Sequence, residues 1–222
     1  MDDSKELWKS LDQEIRATPL VLGRYTADDF INNPKQVCIV ASRYKFVSKM
    51  LANIESALEI GCGDGFGSCI VAKSVGSLLC TDINEELLAD NTVRNTFLKN
   101  VEYRYVDFRE TSLNKKVDSA FLVDVIEHIF PKEEETFLDN IMASIKDHGV
   151  LLIGTPNKAA EQYASEWSKR AHINLKTFEE LREIGLKRFH NVFMFGMNDE
   201  VLHTGYPEMC HFLWAVCTGP RR

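Results

Sequence analysis

The stretch that decides the fold reads Ala57-Leu58-Glu59-Ile60-Gly61-Cys62-Gly63-Asp64-Gly65-Phe66-Gly67. A short and mostly apolar run, residues 56–60, carries a glutamate near its end and passes into glycines at every second position. This pattern predicts a strand that leads into a tight turn which a ligand approaches closely. Glycine suits such a turn because a Cβ would block both a positive φ and the close approach.

The turn does not match the dinucleotide-binding fingerprint. In the pattern Gly-x-Gly-x-x-Gly that begins at Gly61, the third glycine would stand at position 66, where this chain has Phe66. The sequence instead reads Glu-x-Gly-x-Gly-x-Gly from Glu59 to Gly65. The alternative to a ligand-binding loop is a dehydrogenase-like or purely structural turn.

Three further acidic landmarks follow in the order of a βαβ array. Asp82 closes a second predicted strand 17 residues after Gly65, and a carboxylate in that place can accept hydrogen bonds from both hydroxyls of a ribose. Asp107 and Phe108 end an alternating strand, and Asp124 follows a fourth strand. Four landmarks at βαβ spacing indicate a cofactor site, which a single glycine loop would not.

These residues resemble the cofactor site of class I S-adenosylmethionine-dependent methyltransferases. The motifs are most similar to those of ubiquinone-biosynthesis O-methyltransferases and bacterial surface-polysaccharide methyltransferases. The resemblance implies that the glycine loop packs against the methionine moiety, that Asp82 binds the ribose, and that Asp107 and Phe108 contact the adenine. The cofactor-binding residues that it implies are Glu59, Gly61, Gly63, Gly65, Asp82, Ile83, Asp107, Phe108 and Asp124.

The alternation of strands and helices predicts an α/β fold with helices on both faces of a sheet. We expect a Rossmann-like, doubly wound sheet of seven strands, mostly parallel with a C-terminal antiparallel hairpin. Residues 1–222 are expected to form a single methyltransferase domain, in which 1–55 are an N-terminal helical cap and 56–222 the cofactor-binding and catalytic core. The predicted strands are 56–60, 77–82, 101–107, 117–123, 149–155 and two near 188–197 and 208–218; the predicted helices include 4–16, 36–53, 65–75, 85–99 and 132–147.

The composition is that of a soluble globular protein, with 45% hydrophobic and 27% charged residues. No apolar run is long enough for a membrane span, and the acidic start Met1-Asp2-Asp3 is not a secretion signal. The six cysteines form no Cys-x-x-Cys pair, which indicates reduced thiols in a cytoplasmic protein. A net charge of −7 argues against a nucleic-acid substrate, since phosphate contacts need basic faces.

Two histidines are candidates for catalysis. Methylation of a hydroxyl needs a base to take its proton, and histidine is the usual one at neutral pH. His128 follows Glu127 directly after the fourth strand, and His172 lies in the loop after the fifth. We therefore predict His128, His172 and Glu127 as catalytic residues; helix capping or loop anchoring is the alternative role for each histidine.

The stretch from Asp124 to His128 also resembles a metal-binding pattern, Glu-x-x-Glu-His. That pattern occurs in the ubiquinone-biosynthesis O-methyltransferases and the small-RNA 3′-terminal 2′-O-methyltransferases, where it binds a divalent cation. Asp124 replaces the first glutamate and is one methylene shorter. We therefore predict no metal, and keep Asp124, Glu127 and His128 as the alternative site for a divalent metal.

The preferred function is O-methylation, with S-adenosylmethionine as cofactor, of a small-molecule or glycan substrate in bacterial cell-surface polysaccharide or sugar-nucleotide biosynthesis. The alternatives are a metal-dependent RNA 3′-terminal 2′-O-methyltransferase, a quinone-type phenol O-methyltransferase, an N-methyltransferase, and a cofactor-binding partner without catalysis. A homo-oligomer is compatible with all of these. Trp167 and the polar run 195–203 are candidates for the acceptor side, with core packing or a solvated hairpin as the alternatives.

Overall fold

The computed structural model describes residues 3–15 and 19–221. Three helices precede the sheet: α1 (Ser4–Asp12), α2 (Arg24–Asn32) and α3 (Pro34–Met50). The first of these ends earlier than the predicted 4–16, and Arg16 lies outside the described residues, as do Met1, Asp2 and Arg222. Helix α2 was not predicted, and α3 begins at Pro34 because proline fits the first helical position, where no backbone N–H is needed.

Strands and helices then alternate. The order is β1 (Ser56–Ile60), α4 (Phe66–Val71), β2 (Ser77–Asp82), α5 (Glu85–Arg94), β3 (Val101–Tyr105), β4 (Val117–Val123), α6 (Glu134–Ala143), β5 (Ile145–Pro156), α7 (Glu166–Ala171), α8 (Phe178–Arg188), β6 (Phe189–Asn198), β7 (Val201–His203) and β8 (Phe212–Pro220). Short 3-10 turns lie at Ile126–His128, Lys158–Tyr163 and Pro207–Met209.

The strands form one mixed sheet in the order β3-β2-β1-β4-β5-β8-β6-β7. Strands β1 to β5 pair in parallel, whereas β8 pairs antiparallel with both β5 and β6. The predicted mostly parallel, Rossmann-like sheet with antiparallel C-terminal strands is confirmed. Since ligands of such sheets bind beyond the carboxyl ends of the parallel strands, this topology fixes where a site belongs.

The prediction of seven strands is wrong, because eight occur within residues 3–15 and 19–221. The extra strand, β7, pairs antiparallel with the end of β6, from Gly196 to Asn198. The chain reverses at Asp199, whose φ of +48° is the left-handed conformation that aspartate tolerates better than most residues. The polar run 195–203 therefore adds a short edge strand to the sheet.

Both faces of the sheet are covered, as predicted for a doubly wound fold. Helices α3, α4 and α5 pack on one face, where Val47, Leu51, Phe121 and Trp214 belong to one buried cluster. Helices α6 and α8 pack on the other, where Phe137, Ile141 and Leu181 join a second cluster. Helix α6 ends at Ala143 rather than 147, because Ile145 already pairs with Val117 in the sheet. No described helix is both long and apolar enough to span a membrane.

Candidate active site

A cavity of about 850 Å³ lies at the carboxyl ends of β1, β4 and β5. One wall is the glycine loop, and a second comes from α2 and α3. The opposite wall is built by the end of β4, the segment after β5 and the turn between β6 and β7. Segments far apart in the chain therefore meet here, where the parallel topology places a ligand.

The glycine loop has the conformation that its sequence predicts. Gly61, Gly63 and Gly65 have φ values of +74°, +53° and +73°, which side chains with a Cβ rarely adopt. At Gly63 a Cβ would meet only Tyr25, at 3.9 Å, so this residue faces open space. At Gly61 a Cβ would lie 2.5 Å from the Val125 side chain. The loop thus presents bare backbone to the cavity, as a closely approaching ligand requires.

Asp82 holds the loop in place. Its Oδ2 accepts a hydrogen bond from the Gly63 N–H at 2.9 Å, and its Oδ1 accepts from the Asn84 N–H at 2.9 Å. The carbonyl of Gly63 accepts from the Asn91 side chain at 2.8 Å. The predicted ribose-binding carboxylate therefore lies against the glycine loop, while the next residue, Ile83, is exposed.

Glu59 lies beneath the loop and outside the lining of the cavity. Its Oε2 accepts from the Ser68 hydroxyl at 2.6 Å and from the Cys80 thiol at 3.3 Å. Burial raises the pKa of this carboxyl group to about 7. In this position Glu59 supports the glycine loop from the side away from the cavity. A direct contact between Glu59 and the cofactor stays a prediction.

Asp107 and Phe108 also lie outside the cavity lining. The Asp107 carboxylate is held by the Arg109 guanidinium at 2.6 Å, and these hydrogen bonds lower its pKa. The Phe108 ring is 2% exposed and packs edge-on against Phe137. Since a buried ring offers no free face, the adenine contact predicted for Phe108 would have to come from its main chain.

Helix α2 docks directly on the glycine loop. The Thr26 backbone N–H donates to Asp64 Oδ2 at 2.8 Å, and Tyr25 and Thr26 both line the cavity. A Cβ at Gly23 would lie 2.5 Å from the Asp64 side chain, so only glycine permits this approach. The N-terminal helices therefore form part of the wall.

Asp124 is paired with an arginine that the sequence did not indicate. The Arg43 Nη1 atom donates to both Asp124 oxygens, at 2.9 and 2.7 Å, and its guanidinium lies over the Phe212 ring at 4.0 Å. Asp124 has a φ of +56° and lines the cavity, as Arg43 does. The buried Arg43 Nε has no hydrogen-bond partner. No sequence signal could reveal this pair, because 81 residues separate its members.

His128 is held in one orientation. Its Nδ1 lies 3.0 Å from the carbonyl oxygen of Ala171, which can only accept a hydrogen bond. Nδ1 must therefore carry the proton, so in the neutral ring Nε2 keeps its lone pair. His128 lines the cavity, and its side chain is 38% exposed.

Glu127 lies behind this imidazole and is fully buried. Its Oε2 accepts from the Thr155 hydroxyl at 2.9 Å, whereas Oε1 has no partner and lies 4.0 Å from His128 Nε2. Burial, followed by the charge of Asp124, raises the pKa of Glu127 to about 8. Glu127 Oε1 and His128 Nε2 can both accept a hydrogen bond, and the 4.0 Å between them leaves room for a proton or a metal ion to bind both.

His172 completes the cluster. Its ring centroid lies 5.2 Å from that of His128, and both rings line the cavity. Burial and the neighbouring His128 lower the pKa of His172, which favours its neutral form. The structure brings together all three residues predicted as catalytic, although they come from two loops.

Glu127, His128 and His172 also fit a metal ion, since one donor atom of each lies within 4.8 Å of the others. The unpartnered Oε1 of Glu127 and two imidazole nitrogens form a chemically suitable donor set. This set differs from the alternative metal site predicted from the sequence, which was Asp124, Glu127 and His128. The Asp124 carboxylate is paired with Arg43, and His172 takes its place as the third possible ligand.

Arg43 and Tyr44 line the cavity but could not be predicted from the sequence, and His211, whose place beside a predicted strand favoured a core or edge role, lines it as well. Trp167, named as a candidate, lines the cavity and is 70% exposed, so the alternative of core packing is wrong for it. Its helix α7 was too short to show a clear periodicity.

A family model described as a methyltransferase domain matches residues 58–151, from β1 into β5. Residues 58–151 of this chain therefore resemble a methyltransferase domain. The glycine loop and Asp124, which both line the cavity, lie within the matched residues.

Two curated relatives match part of the chain. A probable S-adenosylmethionine-dependent methyltransferase of Mycolicibacterium smegmatis is 28% identical over 120 residues, 52% of this chain and 45% of the relative. A ubiquinone biosynthesis O-methyltransferase of Rickettsia canadensis is 25% identical over 126 residues, 56% of this chain and 50% of the relative. The match therefore spans about half the length of each relative.

Solved structures share the fold of this chain. The methyltransferase domain of a bacterial protein, CtHen1-C, has a TM-score of 0.68 at 17% identity and covers 81% of this chain and 98% of its own. The N-methyltransferase NodS of Bradyrhizobium japonicum, bound to S-adenosylhomocysteine, has a TM-score of 0.67 at 16% identity, covering 96% and 98%. These relatives support the prediction of S-adenosylmethionine as cofactor.

Proposed function

We propose that this chain transfers a methyl group from S-adenosylmethionine to a hydroxyl group of a small or glycan-type acceptor. The observation that carries the proposal is the fixed tautomer of His128, whose Nδ1–H is held by Ala171 while Nε2 is left as a base at the cavity. The relatives with S-adenosylmethionine in their names support the donor.

The glycine loop and Asp82 would hold the donor, and Arg43, which lines the cavity, would supply positive charge near its carboxylate. When bound, S-adenosylmethionine supplies an electrophilic methyl sulfonium. His128 Nε2 would take the acceptor proton while the oxygen forms its bond to the methyl carbon. The donor would keep the electron pair of the broken methyl–sulfur bond on its sulfur. His172, neutral beside His128, would orient the acceptor hydroxyl.

We also propose that the acceptor belongs to bacterial polysaccharide or sugar-nucleotide biosynthesis and that the protein is cytoplasmic. The chain would form a single domain, with residues 1–55 as its cap. The docking of α2 on the glycine loop supports the cap. The six cysteines are all unpaired, which is consistent with a reducing compartment.

Labelled S-adenosylmethionine and a panel of sugar nucleotides, glycan fragments, catechols and short RNAs test this function. We expect transfer to a sugar-type hydroxyl, identified by mass spectrometry of the product. Methylation of nitrogen would replace the O-methyl assignment. Tight cofactor binding without any transfer would support the non-catalytic alternative.

A metal-dependent O-methyltransferase is the second candidate, and the cluster of Glu127, His128 and His172 favours it. These side chains would hold a divalent cation, which would polarise an acceptor hydroxyl. The same panel with Mg²⁺, with Mn²⁺ or with a chelator separates the candidates. Methyl transfer in the presence of the chelator would exclude a required metal. Metal-dependent transfer to RNA or catechol would contradict the glycan-type acceptor.

A further inference from the structure

The charge of the cavity wall is strongly one-sided. Among the described residues that line it there are five carboxylates and one guanidinium, and no lysine. Arg43 neutralises Asp124, and Asp64 is engaged by Thr26. No described cation lies within ion-pair distance of the other three carboxylates, which belong to Asp29, Glu161 and Asp199.

Two of these carboxylates lie in the segments that follow the parallel strands. Glu161 belongs to the 3-10 turn after β5, and Asp199 to the turn between β6 and β7. Tyr163 and Trp167 line the same cavity with 76% and 70% of their surfaces exposed. Exposed aromatic faces beside carboxylates form the setting in which proteins bind organic cations.

The buried Glu127 is an independent sign of a ligand here. Its Oε1 is inaccessible, has no donor among the described residues, and faces the imidazole pair that lines the cavity. A buried acceptor without a donor is costly unless a ligand, ion or proton satisfies it. This oxygen beside the cavity therefore calls for a hydrogen-bonding partner from a ligand.

One group of basic side chains lies away from the cavity. A groove of about 780 Å³ opens at the first residues of β1 to β4, at the opposite edge of the sheet. Its lining includes Lys99, Arg104, Lys115, Lys116 and Lys146. A phosphate or carboxylate on an acceptor would thus meet mostly carboxylates at the cavity, where Arg43 is the single arginine or lysine among the described lining residues.

We propose, building on the proposed function and narrowing it to glycan acceptors other than sugar nucleotides, that the acceptor carries a protonated amine near its reactive hydroxyl and no phosphate or carboxylate. An amino-sugar unit has this chemistry. The carboxylates of Glu161 and Asp199 attract the ammonium group, and the faces of Tyr163 and Trp167 complete its surroundings. The sulfonium of S-adenosylmethionine would supply positive charge near the glycine loop. The ammonium group of the acceptor would supply it near Glu161 and Asp199.

Calorimetric titration of the full chain saturated with S-adenosylhomocysteine tests the proposal. The probes are a β-1,4-linked glucosamine tetramer, its N-acetylated form and its 6-phosphorylated form. At low salt we expect the amine form to bind at least about 10-fold more tightly than the other two. Equal binding of the acetylated or phosphorylated form, or no binding of the amine form, overturns the proposal.

Variants locate the effect. Glu161→Gln combined with Asp199→Asn should weaken binding of the amine form about 5-fold or more and leave the acetylated form unchanged. Glu200→Gln is the matched control, since Glu200 is an exposed neighbour of Asp199 that does not line the cavity. An equal loss in Glu200→Gln would show a general charge effect and contradict a specific site.

The two proposals can fail separately. If the amine preference is found but no methyl is transferred to any acceptor, the proposed function fails and the acceptor-charge inference stands. If the chain instead methylates phosphorylated acceptors as efficiently as amines, the inference falls and the methyltransferase function stands.

Discussion

The Nδ1 atom of His128 lies 3.0 Å from the carbonyl oxygen of Ala171, so a hydrogen bond joins the loop after β4 to the end of α7. The Asn174 N–H adds a second link, donating to the Glu127 carbonyl at 3.0 Å. These two bonds hold the loops of His128 and His172 together. The relative position of the two imidazoles therefore depends on Ala171 and Asn174, which do not line the cavity.

Replacement of His128 should abolish most of the activity without loss of cofactor binding. In His128→Gln the side chain keeps a donor but loses the basic nitrogen, so we expect kcat to fall by about 10²- to 10⁴-fold. Turnover of labelled S-adenosylmethionine gives kcat, and calorimetry gives the Kd of S-adenosylhomocysteine.

The control is His148→Gln, because His148 is an exposed histidine whose contact is Asp118, at the start of β4. It should retain full activity. If kcat of His128→Gln stays within 3-fold of the parent enzyme, His128 is not the base.

A buried ion pair should be needed to keep His172 in place. Lys176 Nζ lies 2.5 Å from Glu134 Oε2 and donates to Asn174 at 2.7 Å, and both charged side chains are largely buried. Lys176→Met leaves the Glu134 charge unpaired, which we expect to cost about 3 kcal/mol of unfolding free energy. Urea unfolding measures this loss.

The double variant Lys176→Met with Glu134→Gln should recover part of that stability, since no buried charge is then left alone. Both variants should lower kcat more than they raise the Kd of the cofactor product, and should shift the pH profile of kcat. A double variant less stable than Lys176→Met would contradict this account.

Gly63→Ala should weaken cofactor binding beyond its effect on stability. The positive φ of Gly63 would cost alanine about 1 kcal/mol, and its Cβ would project into the open side of the loop. We expect the Kd of S-adenosylhomocysteine, measured by calorimetry, to rise at least 10-fold.

Gly219→Ala is the matched control, because Gly219 has a φ of +70° and its Cβ would make only ordinary contacts, the nearest to His190 at 3.5 Å; it lies near the end of β8 and outside the cavity lining. It should lose a similar amount of stability while its Kd is unchanged. Similar Kd values for the two variants would mean that the loop does not bind the cofactor.

The buried carboxyl of Glu127 should make the chain less stable as the pH rises. Burial raises its pKa to about 8, against about 4.3 in an unfolded chain. Between those values the folded state holds a proton that the unfolded state has lost, so the free energy of unfolding falls as pH rises from about 4.3 to 8. Above about 8 this contribution is constant.

Glu127→Gln removes that dependence, since glutamine keeps an acceptor for Thr155 and does not titrate. Its stability relative to the parent should increase between pH 5 and pH 9 in urea titrations. Glu200→Gln, an exposed change, should give a flat difference. A Glu127→Gln chain that loses relative stability over this range would contradict the raised pKa.

Much of the architecture could be predicted from local sequence. The positive φ values at Gly61, Gly63 and Gly65 follow from the glycines themselves, and the alternation of apolar runs fixed the parallel strands. The hairpin that makes β7 was missed because three polar-flanked residues carry no strand periodicity. Short elements depend on pairing partners that only the folded chain supplies.

The site divides in the same way. His128, His172 and Glu127 could be named from their places after β4 and β5, since carboxyl ends of parallel strands meet at one edge. The Arg43–Asp124 pair, the tautomer of His128 and the orphaned Glu127 oxygen could not be predicted. Each depends on atoms brought within a few ångströms by tertiary packing, and hydrogen bonds and pKa values respond only to that distance and to burial.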